Sequence, residues 1–322
     1  MVPESELGNN RYQPFTPAEA RLYMLRVERE HKSFQVGNVK IGGRPGQVPT
    51  VLVGTIFYNK QHIVKDEMKG EFDRVEAERL IKVQEEFSEK TGNPHMIDVV
   101  GSTPEALCRY LDFVAGVSQA PILMDGITPG VRIASLDYVR DHGLTDRIVY
   151  NSLLLDYKKE ELEKIREVGI KSAILLALNT KEFTSVGKVK AVRELLPVAS
   201  GAGIDKPLID TAVIDIPSLG MACRAISDLR QEFGLPVGSG AHNAIDTWKG
   251  LKKKMGDQAK DPSVASACAI TVACGANFVL YGPISHADYV FPAISAVDAA
   301  FAQLVMEERA MPDPKHPIFK IA

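Results

Sequence analysis

Several carboxylate and amide residues in this chain stand at, or just beyond, the end of a short apolar run. Asp98 lies within MIDVV, Asp125 ends PILMD, Asn151 ends RIVYN, Asn179 ends SAILLALN and Asp210 follows PLI. A further run, LPVGSG, leads into Gly238-Ser239-Gly240-Ala241-His242-Asn243 and adds Ser239 and Asn243 to the candidates. A carboxylate can accept paired hydrogen bonds from an exocyclic amine and an adjacent ring N–H, and an amide can serve a mixed donor–acceptor edge. The set therefore suits a flat heterocycle rich in N–H donors. Taken singly, each residue has a plainer use as a helix N-cap or turn residue. Capping gives no reason for the same chemistry to recur run after run.

The same positions exclude other chemistry. No lysine ends an apolar run, which disfavours Schiff-base formation. The seven histidines show no H-x-x-x-H or H-x-C spacing, so no zinc site is expected. Cys268 and Cys274 fall on a predicted helix, SVASACAITVACG, where small apolar packing is the default. The 238–240 loop is a short glycine segment and weak evidence for phosphate binding.

If these residues are to meet, the elements carrying them must converge. Eight strand-like runs begin near Thr50, Met96, Pro121, Arg147, Ser172, Pro207, Leu235 and Asn277. Continuous apolar strands separated by helices indicate a parallel sheet covered on both faces. Asp73 and Glu76 open one helix, with Ala77, Leu80, Ile81 and Phe87 on its face and Gly92 as its stop. Thr103-Pro104 opens another, with Leu107, Tyr110, Leu111 and Val114 at helical spacing. The expected fold class is α/β: a (β/α)8 TIM barrel whose strand ends share one pocket. An open doubly wound sheet is the competing arrangement. Before the barrel, residues 1–33 read as an arm with a helix from Ala18 to about Glu30, capped at Thr16 and Pro17. FQVGNVKIGGRPG, residues 34–46, reads as a β-hairpin around Gly37-Asn38 that closes the bottom of a single barrel spanning 34–322.

Composition sets the remaining bounds. The chain has 322 residues and a formal net charge of −3, which gives no electrostatic reason to expect nucleic acid or an anionic membrane. No apolar run reaches the ~18 residues of a membrane span. The start, MVPESELGNN, lacks a secretion-signal layout. Four cysteines without a C-x-x-C pair point to a reducing cytoplasm.

Six segments, VKIGGRPGQVPTVLVGTIFYN, EKTGNPHMIDVVGSTPEA, GLTDRIVYNS, KPLIDTA, GLPVGSGAHN and ANFVLYGPI, carry a resemblance that runs from about Phe34 to about Ala310. Together they resemble the H subunit of tetrahydromethanopterin S-methyltransferase and its bacterial relatives. More distantly, the strand-end pattern is similar to corrinoid-protein methyltransferases of acetyl-CoA synthesis and to dihydropteroate synthase. The resemblance implies a pterin-binding barrel that moves a methyl group from methylcobalamin, on a corrinoid-binding partner protein, to N5 of a tetrahydropterin. It assigns Asp125, Asn151 and Asp210 to pterin-contacting strand ends, with Asn151 nearest the reacting edge and catalytic. Asp98 and Asn179 follow by position only. On the seventh strand the distant relatives carry an asparagine, where this chain has Val237-Gly238-Ser239 and reaches Asn243 later.

The arm before Phe34 departs from the archaeal family members and shifts the expected acceptor to tetrahydrofolate, used by a soluble enzyme. Tetrahydromethanopterin, in a peripheral component of a membrane methyltransferase complex, is the alternative. The family also implies a homodimer. Two rivals stand beside this reading. One is a barrel aldolase or isomerase that uses the 238–243 loop for phosphate; the other is a non-catalytic component that only docks a corrinoid protein.

Overall fold

The computed structural model describes residues 30–322, so the expected helix from Ala18 and most of the N-terminal arm lie outside the described residues. Every one of the eight apolar runs is a strand. In chain order they are β3 (Val51–Ile56), β6 (His95–Gly101), β7 (Ile122–Gly126), β8 (Ile148–Leu153), β9 (Ser172–Leu176), β10 (Lys206–Asp210), β11 (Val237–Ser239) and β12 (Phe278–Pro283). All pair in parallel, and β12 returns to β3, so the sheet closes. The open-sheet alternative is excluded.

Two antiparallel ribbons complete the strands. The first, β1 (Ser33–Val36) with β2 (Val39–Gly42), is the expected hairpin; Val36 pairs with Val39 across Gly37-Asn38, and Gly37 takes a positive φ of 49°. The second, β4 (Val64–Asp66) with β5 (Glu71–Phe72), is not legible in the sequence, because its strands are too short to show a period.

The helices that matter to the site are α1 (Arg74–Thr91), α2 (Pro104–Val117), α3 (Pro129–Asp141), α4 (Lys159–Val168), α5 (Ser185–Gly201) and α6 (Ile216–Phe233). They begin where sequence chemistry says they should. The side chains of Asp73, Thr103, Thr128, Thr184 and Asp215 each accept a backbone N–H from the first turn, and Gly92 ends α1 in the left-handed region.

Alternation along the strands divides the interior from the wall. Val51, Val53, Met96, Leu123, Val149, Ile174, Leu208, Phe278 and Leu280 form one buried cluster inside the barrel, joined from below by Val36, Val39 and Ile41 of the hairpin. Backbone hydrogen bonds place that hairpin at the bottom: Gly37 N–H donates to Asp146 and Lys32 N–H to Gly234, both just ahead of barrel strands. The lower half of the barrel is thus filled with hydrocarbon, and only the upper level is left for chemistry.

Between β11 and β12 the chain forms α7 (Asn243–Asp246), α8 (Leu251–Met255) and α9 (Lys260–Ala273), and α10 (Ala287–Glu307) follows β12. The segment Ile284–Glu307 is long and apolar enough to cross a membrane by length and composition, contrary to the reading that no stretch is. Its apolarity has another use: Val290, Phe291, Ile294, Phe301, Ala302 and Val305 are buried against the barrel. Asp298 anchors the same helix below, accepting from Thr50 N–H and hydroxyl at 2.9 and 2.8 Å and from Asn93 Nδ2 at 2.7 Å.

Candidate active site

One level above the hydrocarbon layer, the inward positions turn polar. Thr55 pairs in register with Asp98, Asp125 with Asn151, and Asp210 with both Leu176 and Gly238. Thr55, Asp98, Asp125, Asn151 and Asp210 each lie two positions beyond an interior apolar residue, namely Val53, Met96, Leu123, Val149 and Leu208 in turn. Parity, set by the pleat, is what aims them at a common space.

Asp98 is the hub. Thr55 Oγ1 donates to its Oδ2 at 2.9 Å, and Asn151 Nδ2 donates to its Oδ1 at 3.1 Å. It is only 3% exposed. Burial first, then the nearby Asp125 and Asp210 carboxyls, push its pKa well above the usual carboxylate range, against the pull of those two donors. Asp125 and Asp210 are raised less, each to about 6, and burial is the main cause for both. Arg132 holds Asp125 down; for Asp210, the backbone N–H of Ala212 and the Lys188 ammonium do the same. Asp98 is thus the member of the three whose charged form burial and its neighbours disfavour most.

The plainer reading of these residues can be judged directly. Thr128 caps the helix after Asp125, and Asp215 caps the one after Asp210, so neither strand-end aspartate is an N-cap. Among the described residues no hydrogen-bond donor reaches the Asp125 carboxylate, which shares the inward parity of Leu123. Asp210 does serve its turn in part: Oδ1 accepts from Ala212 N–H at 2.7 Å, and Ala212 sits at a φ of +53°, a conformation costly for a residue with a Cβ. Lys188, 2% exposed, holds the same turn by donating from Nζ to the Ala212 carbonyl at 3.0 Å.

Three candidates are not brought into the level. β9 stops at Leu176, so Asn179 does not end it; its Oδ1 accepts from the N–H groups of Lys181 and Glu182, a turn role. Ser239 has the parity of Val237 and pairs with Val279, both packed under the outer helices; its hydroxyl is buried on that side without a partner among the described residues. Asn243 is the first residue of α7, and its amide lies against Gly240. The inward position on β11 is Gly238, where a Cβ would collide with the Phe278 carbonyl oxygen. No side chain fits there.

Sequence reasoning misses four contributors. Thr55 is hidden inside an apolar run, although its parity with Val53 could have found it. Arg132, Lys188 and His242 reach the strand ends from helices or loops, and nothing in their spacing signals it. His242 packs on Gly282, with Nδ1 3.0 Å from the Leu280 carbonyl, and burial lowers its pKa. A separate groove of about 350 Å³, lined by Leu219, Ile245, Trp248, Pro262, Ala267 and Ile270, lies in the helical layer and shares no residue with this site.

A closed parallel barrel with a carboxylate–amide cluster toward the C-terminal ends of its strands defines the class of this protein: a (β/α)8 barrel. The profile of the tetrahydromethanopterin S-methyltransferase MtrH subunit matches residues 29–311, and the chain belongs to that family of methyltransferase subunits. It is 38% identical over 309 residues to the H subunit of tetrahydromethanopterin S-methyltransferase of Methanothermobacter thermautotrophicus, covering 92% of this chain and 100% of that one. It is 37% identical over 309 residues to the mtx methyltransferase H subunit of Methanosarcina mazei, covering 92% and 99%. Among solved structures it is similar to Yersinia pestis dihydropteroate synthase with a pterin–sulfa conjugate, at a TM-score of 0.59 and 13% identity over 84% of this chain and 99% of that one. That last likeness shows the barrel fold.

Proposed function

We propose that this protein transfers a methyl group between a methylated corrinoid and N5 of a tetrahydropterin bound at the Thr55–Asp98–Asp125–Asn151–Asp210 level. The observation that carries the proposal is the Asp125 carboxylate, largely buried, raised to a pKa of about 6 and without a donor among the described residues. A buried acceptor of this kind calls for a ligand that brings N–H groups. A pterin brings an exocyclic amine and a ring N–H on one edge, and the family membership supports it. The relatives named for tetrahydromethanopterin support that acceptor over the tetrahydrofolate expected from the sequence.

The chain's own residues then divide the work. Asp125 and Asp210, ionised, accept the N–H edge of the pterin and fix its plane. Asn151 has its Nδ2 committed to Asp98, which leaves its Oδ1 free for the pterin. Asp98, its pKa raised chiefly by burial, favours its protonated form and is the candidate to donate a hydrogen bond, or in the demethylating direction a proton, at N5. The N5 lone pair forms the N–CH3 bond in an in-line displacement as the cobalt–carbon bond breaks with its electron pair left on the corrinoid, and N5 then gives up its proton; the reverse reaction needs N5 protonated. No covalent enzyme adduct is required. Holding N5 in line with the donor can lower the barrier by several kcal/mol, about 7–11 at the upper end. The methyl donor is a corrinoid carried by a partner protein that meets the C-terminal face, where N5 is presented. A homodimer, the commonest assembly, and a reducing cytoplasm, expected from the cysteine spacing, complete the reading.

The test is single-turnover methyl transfer from excess free methylcobalamin to tetrahydromethanopterin and to tetrahydrofolate, with each affinity measured by anaerobic calorimetry. Transfer to tetrahydromethanopterin with the higher affinity is expected. Binding of neither pterin would overturn the proposal.

A further inference from the structure

Behind the pocket wall, between β7, β8, α3 and α4, lies a buried charged cluster that the methyl-transfer reading does not use. Arg132 comes from α3 and is 6% exposed; Glu161 comes from α4 and is 1% exposed. The guanidinium spends its donors on three different elements. NH1 donates to the Gly126 carbonyl at 2.7 Å, Nε to the Tyr150 hydroxyl at 3.1 Å, and NH2 to Glu161 Oε1 at 3.2 Å. Tyr150 O–H donates to the same Glu161 oxygen, and Glu161 Oε2 accepts from the Lys158 N–H that opens α4.

The bonded groups are next to site residues in the chain. Gly126 follows Asp125, and Tyr150 precedes Asn151, so the outward neighbours of two pocket residues are gripped by one planar side chain. Gly126 also makes room for it: a Cβ there would lie 2.7 Å from Arg132 Cγ. A buried ion pair is weak evidence for stability, since hydrophobic residues of similar volume often do as well. A fork that bridges two strand ends is better explained by what it aligns.

We propose that Arg132 is a positioning residue that locks the β7 and β8 strand ends into one unit, so that Asp125 and Asn151 face the bound pterin in fixed relation. The proposal rests on the pterin-binding reading and adds a second layer to it. Arg132 is also the cation that favours the ionised form of Asp125. Asp98 also acts on that carboxyl from the neighbouring strand, and Glu161 lies on the far side of Arg132.

The test uses the full chain, Tyr150→Phe and Arg132→Met, with calorimetric pterin affinity measured from pH 5 to 8 and thermal stability measured in parallel. Tyr150→Phe keeps both charges and removes one bond of the fork; it is expected to fold and to bind pterin about 3- to 10-fold more weakly with the pH profile in place. Arg132→Met is expected to lose more than tenfold and to move the acid limb of binding to higher pH, because Asp125 loses its positive neighbour. If Arg132→Met does not fold, Tyr150→Phe still decides the matter. Lower stability with affinity and acid limb unchanged, in either folded variant, would make the cluster structural and overturn the proposal. Wild-type protein that binds no tetrahydropterin would fail the functional reading itself, an outcome plainly distinct from normal wild-type binding with unaffected variants.

Discussion

Replacing Asp125 by asparagine should weaken the ligand complex and strengthen the empty protein, and the opposed signs make it the sharpest test of the site. The change is nearly isosteric, and among the described residues no donor to Asp125 is lost with it. In the complex, the variant exchanges a charged acceptor for a neutral one. Losing a charge-assisted hydrogen bond costs about 1.5–3 kcal/mol, or roughly 10- to 150-fold in Kd. In the free protein the sign reverses. A carboxyl with a folded-state pKa near 6 is ionised at pH 7 at a cost relative to the unfolded chain. About two pKa units correspond to at most about 3 kcal/mol, and partial exposure of the side chain reduces the gain expected for Asp125→Asn to about 1 kcal/mol. The measurements are anaerobic calorimetry with tetrahydromethanopterin and urea unfolding, both at pH 7. A residue serving only as a turn or cap would show the reverse pattern, with stability down and affinity unmoved. Unchanged affinity in a folded Asp125→Asn protein would refute the assignment of Asp125 to the pterin.

Asn151→Ala should lower single-turnover methyl transfer by up to about 10²–10³ while pterin affinity changes much less, if the amide acts mainly in the transition state; parallel losses in both would make it a general binding residue. Pterin affinity should rise with pH through about 6 as Asp125 and Asp210 ionise, whereas apo stability should fall over the same interval: both carboxyls have raised folded-state pKa values, so their contribution is fully present below the unfolded value and is lost as pH rises through about 6. Calorimetry and urea midpoints measured from pH 4.5 to 8 would reveal either sign. At the other end of the barrel, Asp298→Ala should cost about 2–4 kcal/mol in urea unfolding, because it leaves the buried Thr50 and Asn93 donors unpaired, and should leave pterin affinity alone. A matching loss of affinity would mean that the barrel transmits damage from bottom to top.

Local chemistry alone encodes the elements of this chain. Continuous apolar runs mark the eight strands, Asp73, Thr103 and Gly92 mark helix ends, and Gly37-Asn38 marks the hairpin that stoppers the barrel. Asp125, Asn151 and Asp210 are legible as polar residues at or near the finish of an apolar strand, and Asp98 as a lone carboxylate inside one. Which face each strand end presents is settled in three dimensions, and there the sequence cannot discriminate. Ser239 and Asp210 look alike as strand-end polar residues, yet the pairing of Ile209 with Val237 sends Ser239 to the wall and Gly238 to the pocket. Asn179 looks like Asn151, but β9 stops three residues short of it and leaves its amide to the turn. The protonation pattern is also a tertiary property. Asp98, Asp125 and Asp210 lie 27 and 85 residues apart in the chain, and only barrel closure buries Asp98 and brings the other two near enough to raise its pKa further. Arg132 and Lys188 reach the site from helices outside the sheet, so their roles follow from distance across packed layers, which no spacing along a chain records.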